Sequence, residues 1–174
     1  EAQDGWQIMS VSPDGSNLRT LATLPGAVVR LGWSPDGSAL LAITFDPESA
    51  LSQLNVVDGD HSGYRRLNHG PTFFVRDAVW RPAGRQVALA GWEQVLRNGE
   101  VEVRAGGVYI ADADGASLRQ LPIGPVQSIN GLEWSPDGKH LSFGRGPDDI
   151  TQINIADIDE DRTLAQLRKL KIDP

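Results

Sequence analysis

Short apolar runs alternate with polar residues along most of the chain, and clusters of Gly, Pro, Asp and Ser separate them. The runs are rich in β-branched and aromatic residues, as in segments 54–58 and 108–112. A period of two predicts β-strands, because successive side chains of a strand point to opposite faces. Helical spacing occurs only near residues 163–170, which we interpret as an outer strand. The pattern therefore predicts an all-β chain.

The apolar pattern also repeats along the chain. The sequence LGWSPDGSALLAI begins at Leu31 and returns as LEWSPDGKHLSFG at Leu132, with a degenerate copy, AVWRPAGRQVALA, at Ala78. The three Trp anchors are roughly 50 residues apart, which is the length of one four-stranded propeller blade. A second element, consisting of strand, turn and strand, alternates with the first and begins at Ile8, Leu54, Val108 and Ile153.

The Trp-Ser-Pro-Asp-Gly motif predicts an inner strand that ends in a tight turn. Proline presets φ for the turn, aspartate bonds to the local backbone, and glycine accepts a positive φ. We expect Trp33, Trp80 and Trp134 to end the inner strands and to be core residues packed between neighbouring blades.

These motifs resemble TolB-type (WD-like) β-propeller repeats over nearly the whole chain. The resemblance implies four-stranded antiparallel blades, with strands a to d running outward from the central channel. The chain then forms a single propeller segment of roughly three and a half blades: a half blade at 1–27 and blades at 28–73, 74–127 and 128–174. Such an arc is either part of a longer propeller or is closed by a second copy, so self-association is one expectation.

Composition narrows the possible functions. The net charge of −7 argues against a nucleic-acid partner, and no apolar run is long enough for membrane insertion. There is no cysteine, which fits an extracytoplasmic (periplasmic or secreted) bacterial protein. Nucleophile-elbow, metalloprotease, phosphate-loop and dinucleotide motifs are missing, so we expect no enzyme activity and no cofactor.

The resemblance implies a non-catalytic module that binds a protein or peptide, as the TolB propeller does. The alternative is a substrate-gating or accessory propeller of a larger peptidase or carbohydrate-active enzyme. A partner would bind where the varied b–c and d–a loops meet at the channel mouth. The longest, residues 92–106, is either a binding loop or a hairpin that merely lengthens two strands. The candidate residues at this mouth are Arg30, Phe73, Phe74, Arg76, Asp77, Trp92, Arg97, Asn130 and Arg145.

Two other sets of residues have a simple structural interpretation. Asp157, Asp159 and Asp161 alternate along the chain, and one alternative is that they bind calcium, because carboxylate oxygens are the ligands that calcium prefers. Their alignment with the c–d turns of other repeats favours ordinary turn residues. His61, His69 and His140 are spread over three blades and are interpreted as surface or turn residues.

Overall fold

The computed structural model describes residues 5–67, 73–97, 100–104, 106–123, 129–145, 152–157 and 167–169. Every regular element in these ranges is a β-strand. The strands are β1 (Trp6–Ser10), β2 (Arg19–Leu24), β3 (Ala27–Trp33), β4 (Ala39–Asp46), β5 (Leu51–Asp58), β6 (Tyr64–Leu67), β7 (Phe73–Trp80), β8 (Gln86–Arg97), β9 (Glu100–Val103), β10 (Gly107–Asp112), β11 (Leu118–Gln120), β12 (Ile129–Trp134), β13 (His140–Arg145), β14 (Gln152–Asp157) and β15 (Leu167–Lys169).

The described strands form four antiparallel sheets, and strands that follow one another along the chain pair within a sheet, except that β10 pairs with β8 rather than with β9. A half blade contains β1 and β2, and blade 1 has the order β3-β4-β5-β6. Blade 2 has the order β7-β8-β10-β11, with β9 paired to β8, and blade 3 has the order β12-β13-β14-β15. This confirms the predicted all-β propeller arc, and β15 confirms a strand within 163–170.

Each inner strand ends at its Trp and enters the same tight turn. In blade 1 the amide of Gly37 donates to the Ser34 carbonyl at 2.9 Å, and Gly37 has φ +71°. The turns at Gly84 and Gly138 have the same bond at 2.8 Å. Glycine is favoured at these positions because their backbone lies in the left-handed region.

Each inner strand also carries a β-bulge. The register shifts between Val28 and Arg30 in β3, and between Val75 and Asp77 in β7. In β12 it shifts between Asn130 and Glu133. A bulge adds one residue to its strand and re-aims the side chains around it.

Apolar side chains fill the space between successive sheets in three clusters. The half blade packs Ile8, Leu21 and Leu24 against blade 1, mainly against Leu40 and Val57. Larger clusters join blade 1 to blade 2 and blade 2 to blade 3. The core is therefore divided into layers, one between each pair of neighbouring sheets.

The expectation that all three Trp anchors are core residues is wrong for Trp33. Trp134 is 8% exposed, but Trp33 is 51% exposed. The cause is the half blade, which covers the outer part of blade 1 and leaves this face of β3 without a neighbouring sheet among the described residues.

Candidate partner-binding face

Three aromatic rings meet where β4, β7 and β8 reach the loop end of the sheets. The rings of Phe74 and Trp92 are stacked, with centroids 4.5 Å apart and planes at 12°. Phe45 approaches Phe74 edge-on at 6.4 Å. The register explains the stack, since Phe74 and Trp92 are directly opposite each other on β7 and β8. All three side chains are half-buried and so keep part of their surface available.

Phe73 points to the opposite face of β7 and belongs to a different contact. Its ring meets Tyr109 edge-on, with centroids 5.1 Å apart. Burial raises the pKa of Tyr109, with a further contribution from the charge of Glu93. Phe73 fits here because Gly91 has no side chain: a Cβ at this position would lie 2.5 Å from the Phe73 ring. Phe73 and Phe74 are both half-buried.

The long b–c segment after Trp92 is the hairpin alternative considered above. Strand β8 continues to Arg97, and β9 folds back on it with Gln94 opposite Val103 and Leu96 opposite Val101. Arg97, exposed near the tip, forms an ion pair with Glu102 at 3.4 Å. The hairpin therefore extends from the sheet next to the aromatic rings.

Arg30 and Asp77 lie deeper, on the inner strands, and join blades. Arg30 Nε is 2.9 Å from Asp77 Oδ1, and the Asp77 side chain is only 5% exposed. The same carboxylate accepts hydrogen bonds from the amides of Ala78 at 2.8 Å and Leu132 at 3.0 Å. Asp77 therefore links blades 1 and 3 to blade 2, so this candidate site residue has a structural role.

A groove of about 680 Å³ runs along the inner strands of the three blades. Its walls include Arg30, Trp33, Trp80, Pro82, Glu133 and Trp134. The sequence did not indicate this groove, because a repeat motif shows which residues end each strand but not how the strand ends face one another.

Arg81 is a second feature missed from the sequence. It occupies the place of Ser34 and Ser135 in the degenerate turn. Its Nε donates to the Gly138 carbonyl of the next blade at 2.9 Å, and its guanidinium lies 5.1 Å from the centre of the Trp134 ring. Arginine in place of the serine of the other copies was the sequence signal that could have indicated this contact between blades.

The remaining candidates are only partly placed. Arg76 is exposed on the bulge of β7. The backbones of Asn130 and Arg145 belong to β12 and β13, but their side chains lie outside the described residues. The calcium alternative also lies outside them, since only the backbone of Asp157 is described and residues 159 and 161 are not.

Three further observations concern His61, groups of metal ligands and membrane-spanning helices. Nδ1 of His61 lies 2.8 Å from the Thr20 carbonyl, so this turn histidine contacts the half blade. Within the described ranges, no three His, Asp or Glu side chains are grouped as metal ligands. Nor does any helix of sufficient length and hydrophobicity to span a bilayer occur in that part of the chain.

No protein-family model and no curated protein matches this chain. Solved structures do. TolB from Acinetobacter baumannii has a TM-score of 0.66 at 14% identity, over 95% of this chain and 37% of that one. A putative TolB from Agrobacterium tumefaciens has a TM-score of 0.65 at 16% identity, over 96% and 55%. An oligogalacturonate lyase in complex with manganese has a TM-score of 0.66 at 16% identity, over 96% and 48%.

Sheet order, packing and these similarities define the fold as a β-propeller, here an arc of consecutive blades. The blades are similar in fold to those of TolB. In this chain the Trp that ends each inner strand is followed by the tight glycine turn. The chain spans 37% to 55% of the lengths of the similar structures named above. At identities of 14–16% the similarity concerns the fold.

Proposed function

We propose that this chain is a non-catalytic module that binds a protein or an extended peptide at the channel-mouth face. The observation that carries the proposal is the stacked pair of Phe74 and Trp92, half-buried beside the β8–β9 hairpin. Fixed aromatic side chains are the most frequent energetic centres of protein interfaces, because they bury a large area at small entropic cost.

The surroundings of the pair support binding of a main chain. Nε1 of Trp92 is buried and has no hydrogen-bond partner in the described part of the structure. A small rotation of the indole would bring this N–H to the surface, where a carbonyl oxygen of a bound peptide could accept its hydrogen bond. The hairpin would then form one side of the site.

Charged side chains would act at the rim of this site. Arg97 is exposed and pairs with Glu102 on the hairpin, and Arg76 is exposed on the β7 bulge. Rim charges contribute mainly to the rate of association and to orientation, so we expect smaller effects from these arginines than from the rings. Asp77, which is buried between blades, would influence the site only through the fold.

The proposal includes an extracytoplasmic location, which the lack of cysteine supports. The alternative role, as an accessory propeller of a larger peptidase or carbohydrate-active enzyme, makes a different prediction. There the aromatic rings would face a catalytic domain of the same polypeptide, and their substitution would change turnover of a substrate rather than affinity for a separate partner.

A selection experiment tests the proposal. Random twelve-residue peptides displayed on phage are selected on the immobilised wild-type chain, and dissociation constants of the recovered peptides are measured by fluorescence anisotropy. We expect Trp92→Ala and Phe74→Ala each to weaken binding by about 30-fold, the effect of losing a hot-spot side chain. Arg76→Ala should weaken binding by less.

Tyr64→Ala provides a matched control, because Tyr64 is an aromatic residue with part of its surface exposed but lies on the outer strand β6. It should leave the affinity unchanged, and urea unfolding should confirm that each variant is folded. The proposal is wrong if peptides bind Trp92→Ala and Phe74→Ala as tightly as the wild type, or if the selection recovers no binding peptide.

A further inference from the structure

The inner strand of blade 1 exposes apolar side chains that its counterparts bury. Leu31 on β3 is 49% exposed, whereas the corresponding Ala78 and Leu132 are 4% and 3% exposed. Trp33 is 51% exposed, and its counterpart Trp134 is 8% exposed. The repeat places these residues identically, so the difference comes from what covers them.

The cover is visible at the filled interface between blades 1 and 2. Trp80 packs against the cluster between blades 1 and 2, and its Nε1 donates to the carbonyl of Gly32 on β3 at 3.1 Å. The indole therefore spans the interface and reaches the inner strand of the preceding blade. The indole of Trp33 has no such acceptor among the described residues.

The half blade stops short of this face. Leu31 and Trp33 are opposite Ala42 and Leu40 across the β3–β4 pair, so all four share one face of blade 1. The half blade buries Leu40 and Ala42 beneath Ile8, Leu21 and Leu24. Among the described residues its sheet contains only β1 and β2, so it has no strand there to place over β3.

The edge of β1 is open at the same place. In the three full blades the corresponding strands β5, β10 and β14 each pair with strands on both sides. Strand β1 pairs with β2 on one side, and nothing in the described chain pairs with its other side. Trp6 and Met9 on β1 are 57% and 44% exposed. An open apolar edge is a template for pairing with a further strand.

We infer that the free edge of β1 and the exposed face of β3 together form a docking site for a β-hairpin of the inner-strand type. Its second strand pairs antiparallel with β1, and its first strand covers Leu31 and Trp33. A main-chain carbonyl of that first strand accepts the hydrogen bond of Trp33 Nε1, as Gly32 does for Trp80. The same kind of interface occurs twice within the chain, between blades 1 and 2 and between blades 2 and 3. The docking site is separate from the aromatic face of the proposed function.

The spacing of strands decides in favour of a hairpin over a single peptide strand. Neighbouring strands lie about 4.8 Å apart, so one strand added to β1 reaches only the position of a second strand in the blade. The face of β3 corresponds to the first strand, one step further towards the channel. Both open features are therefore satisfied together only by two strands.

The experiment supplies such a hairpin from the chain's own sequence. A copy of residues 27–50, with the tryptophan of the copy changed to phenylalanine, is joined directly before Gly5. The copy contains β3, β4 and the turn that leads to β5, so its second strand arrives at β1 as β4 arrives at β5. Hydrogen exchange of amides 6–10 is measured by mass spectrometry, and exchange of the Trp33 indole by NMR, with the signal assigned from Trp33→Phe.

We expect the copy to slow exchange of the β1 amides and of the Trp33 indole by at least about tenfold, the effect of one cooperative pairing. Amides of the buried segment 87–90 serve as an internal reference for folding. In the control, the positions of Leu41 and Ile43 in the copy are changed to proline, which removes strand pairing. This control should give the exchange rates of the wild type.

Two results would overturn the inference. In the first, the chain fused to the unmodified hairpin copy shows unchanged exchange of the β1 amides and of the Trp33 indole while the reference segment stays protected. The second is a wild-type chain whose Trp33 indole becomes protected as concentration rises and a dimer forms, because the occupant would then be a second copy of the chain.

Discussion

Single carboxylates organise the Ser-Pro-Asp-Gly turns. In blade 1, Oδ1 of Asp36 accepts hydrogen bonds from the Ser34 hydroxyl at 2.6 Å and from the amide of Ser38 at 3.0 Å. The Ser34 bond first, and then the Ser38 bonds, lower the pKa of Asp36 to about 2. The ionised carboxylate is therefore favoured by the folded turn over the unfolded chain.

This pKa predicts a pH dependence of stability. A pKa lowered on folding stabilises the native state above the unfolded pKa of 3.8, and the contribution is lost as the pH falls towards 2. Urea unfolding between pH 2 and 6 should therefore show the wild type more stable than Asp36→Asn at pH 6, with the difference shrinking below pH 4. Ser34→Ala removes the strongest bond and should shift this loss to higher pH. A wild-type advantage independent of pH would contradict the assignment.

At the scale of a strand, β8 depends on one glycine. A Cβ on Gly91 would lie 2.3 Å from the Phe74 carbonyl oxygen, which is backbone and cannot turn away. Gly91→Ala should therefore destabilise the chain by about 1–3 kcal/mol through overpacking, measured by urea unfolding. Gly32→Ala is the matched control, because Gly32 also lies in a strand but has nothing within 4 Å of its Cβ position. Equal effects of the two substitutions would contradict this account.

Elements were predictable wherever the repeat determines them. The inner strands that end at Trp33, Trp80 and Trp134 follow from a local pattern of apolar residues and a turn motif, so the sequence alone located them. The exposure of Trp33 was not predictable, because it depends on which sheet lies opposite. The β8–β9 hairpin was one of two alternatives, since strand propensity cannot decide whether a long loop pairs with itself.

The candidate site was predictable only in part. Alternation placed Phe73 and Phe74 on opposite faces of β7, but the stacking of Phe74 on Trp92 requires the register between β7 and β8. Asp77 looked like a surface group at the channel mouth. The bulge before it leaves its carboxylate between blades, where it accepts the amide of Leu132, and no local signal in the sequence indicates that partner.

At the scale of the whole molecule, polar contacts connect one blade to the next. Arg81 is the clearest example, because it bonds the Gly138 carbonyl and lies against Trp134. Arg81→Ser restores the serine of the other copies at this position but removes both contacts. We expect it to lower the free energy of unfolding by about 1–3 kcal/mol, the range for losing a charged donor to a buried acceptor.

The measurement is urea unfolding monitored by fluorescence, together with amide exchange of the β12–β13 segment. Arg66→Ser is the control, because Arg66 is an exposed arginine on the outer strand β6. It should change stability by less than about 0.5 kcal/mol. Unchanged stability in Arg81→Ser would show that the serine of the common motif serves blade 2 equally well.

The ion pair of Arg30 and Asp77 also restricts how this chain could be rearranged. The two residues occupy the same position of the repeat, where blade 3 has Gly131, so Arg30 would lose its carboxylate if blade 3 directly followed blade 1. The repeats are therefore no longer interchangeable units. Removing or relocating blade 2 would separate Arg30 from Asp77, so the chain encodes the order of its blades as well as their shape.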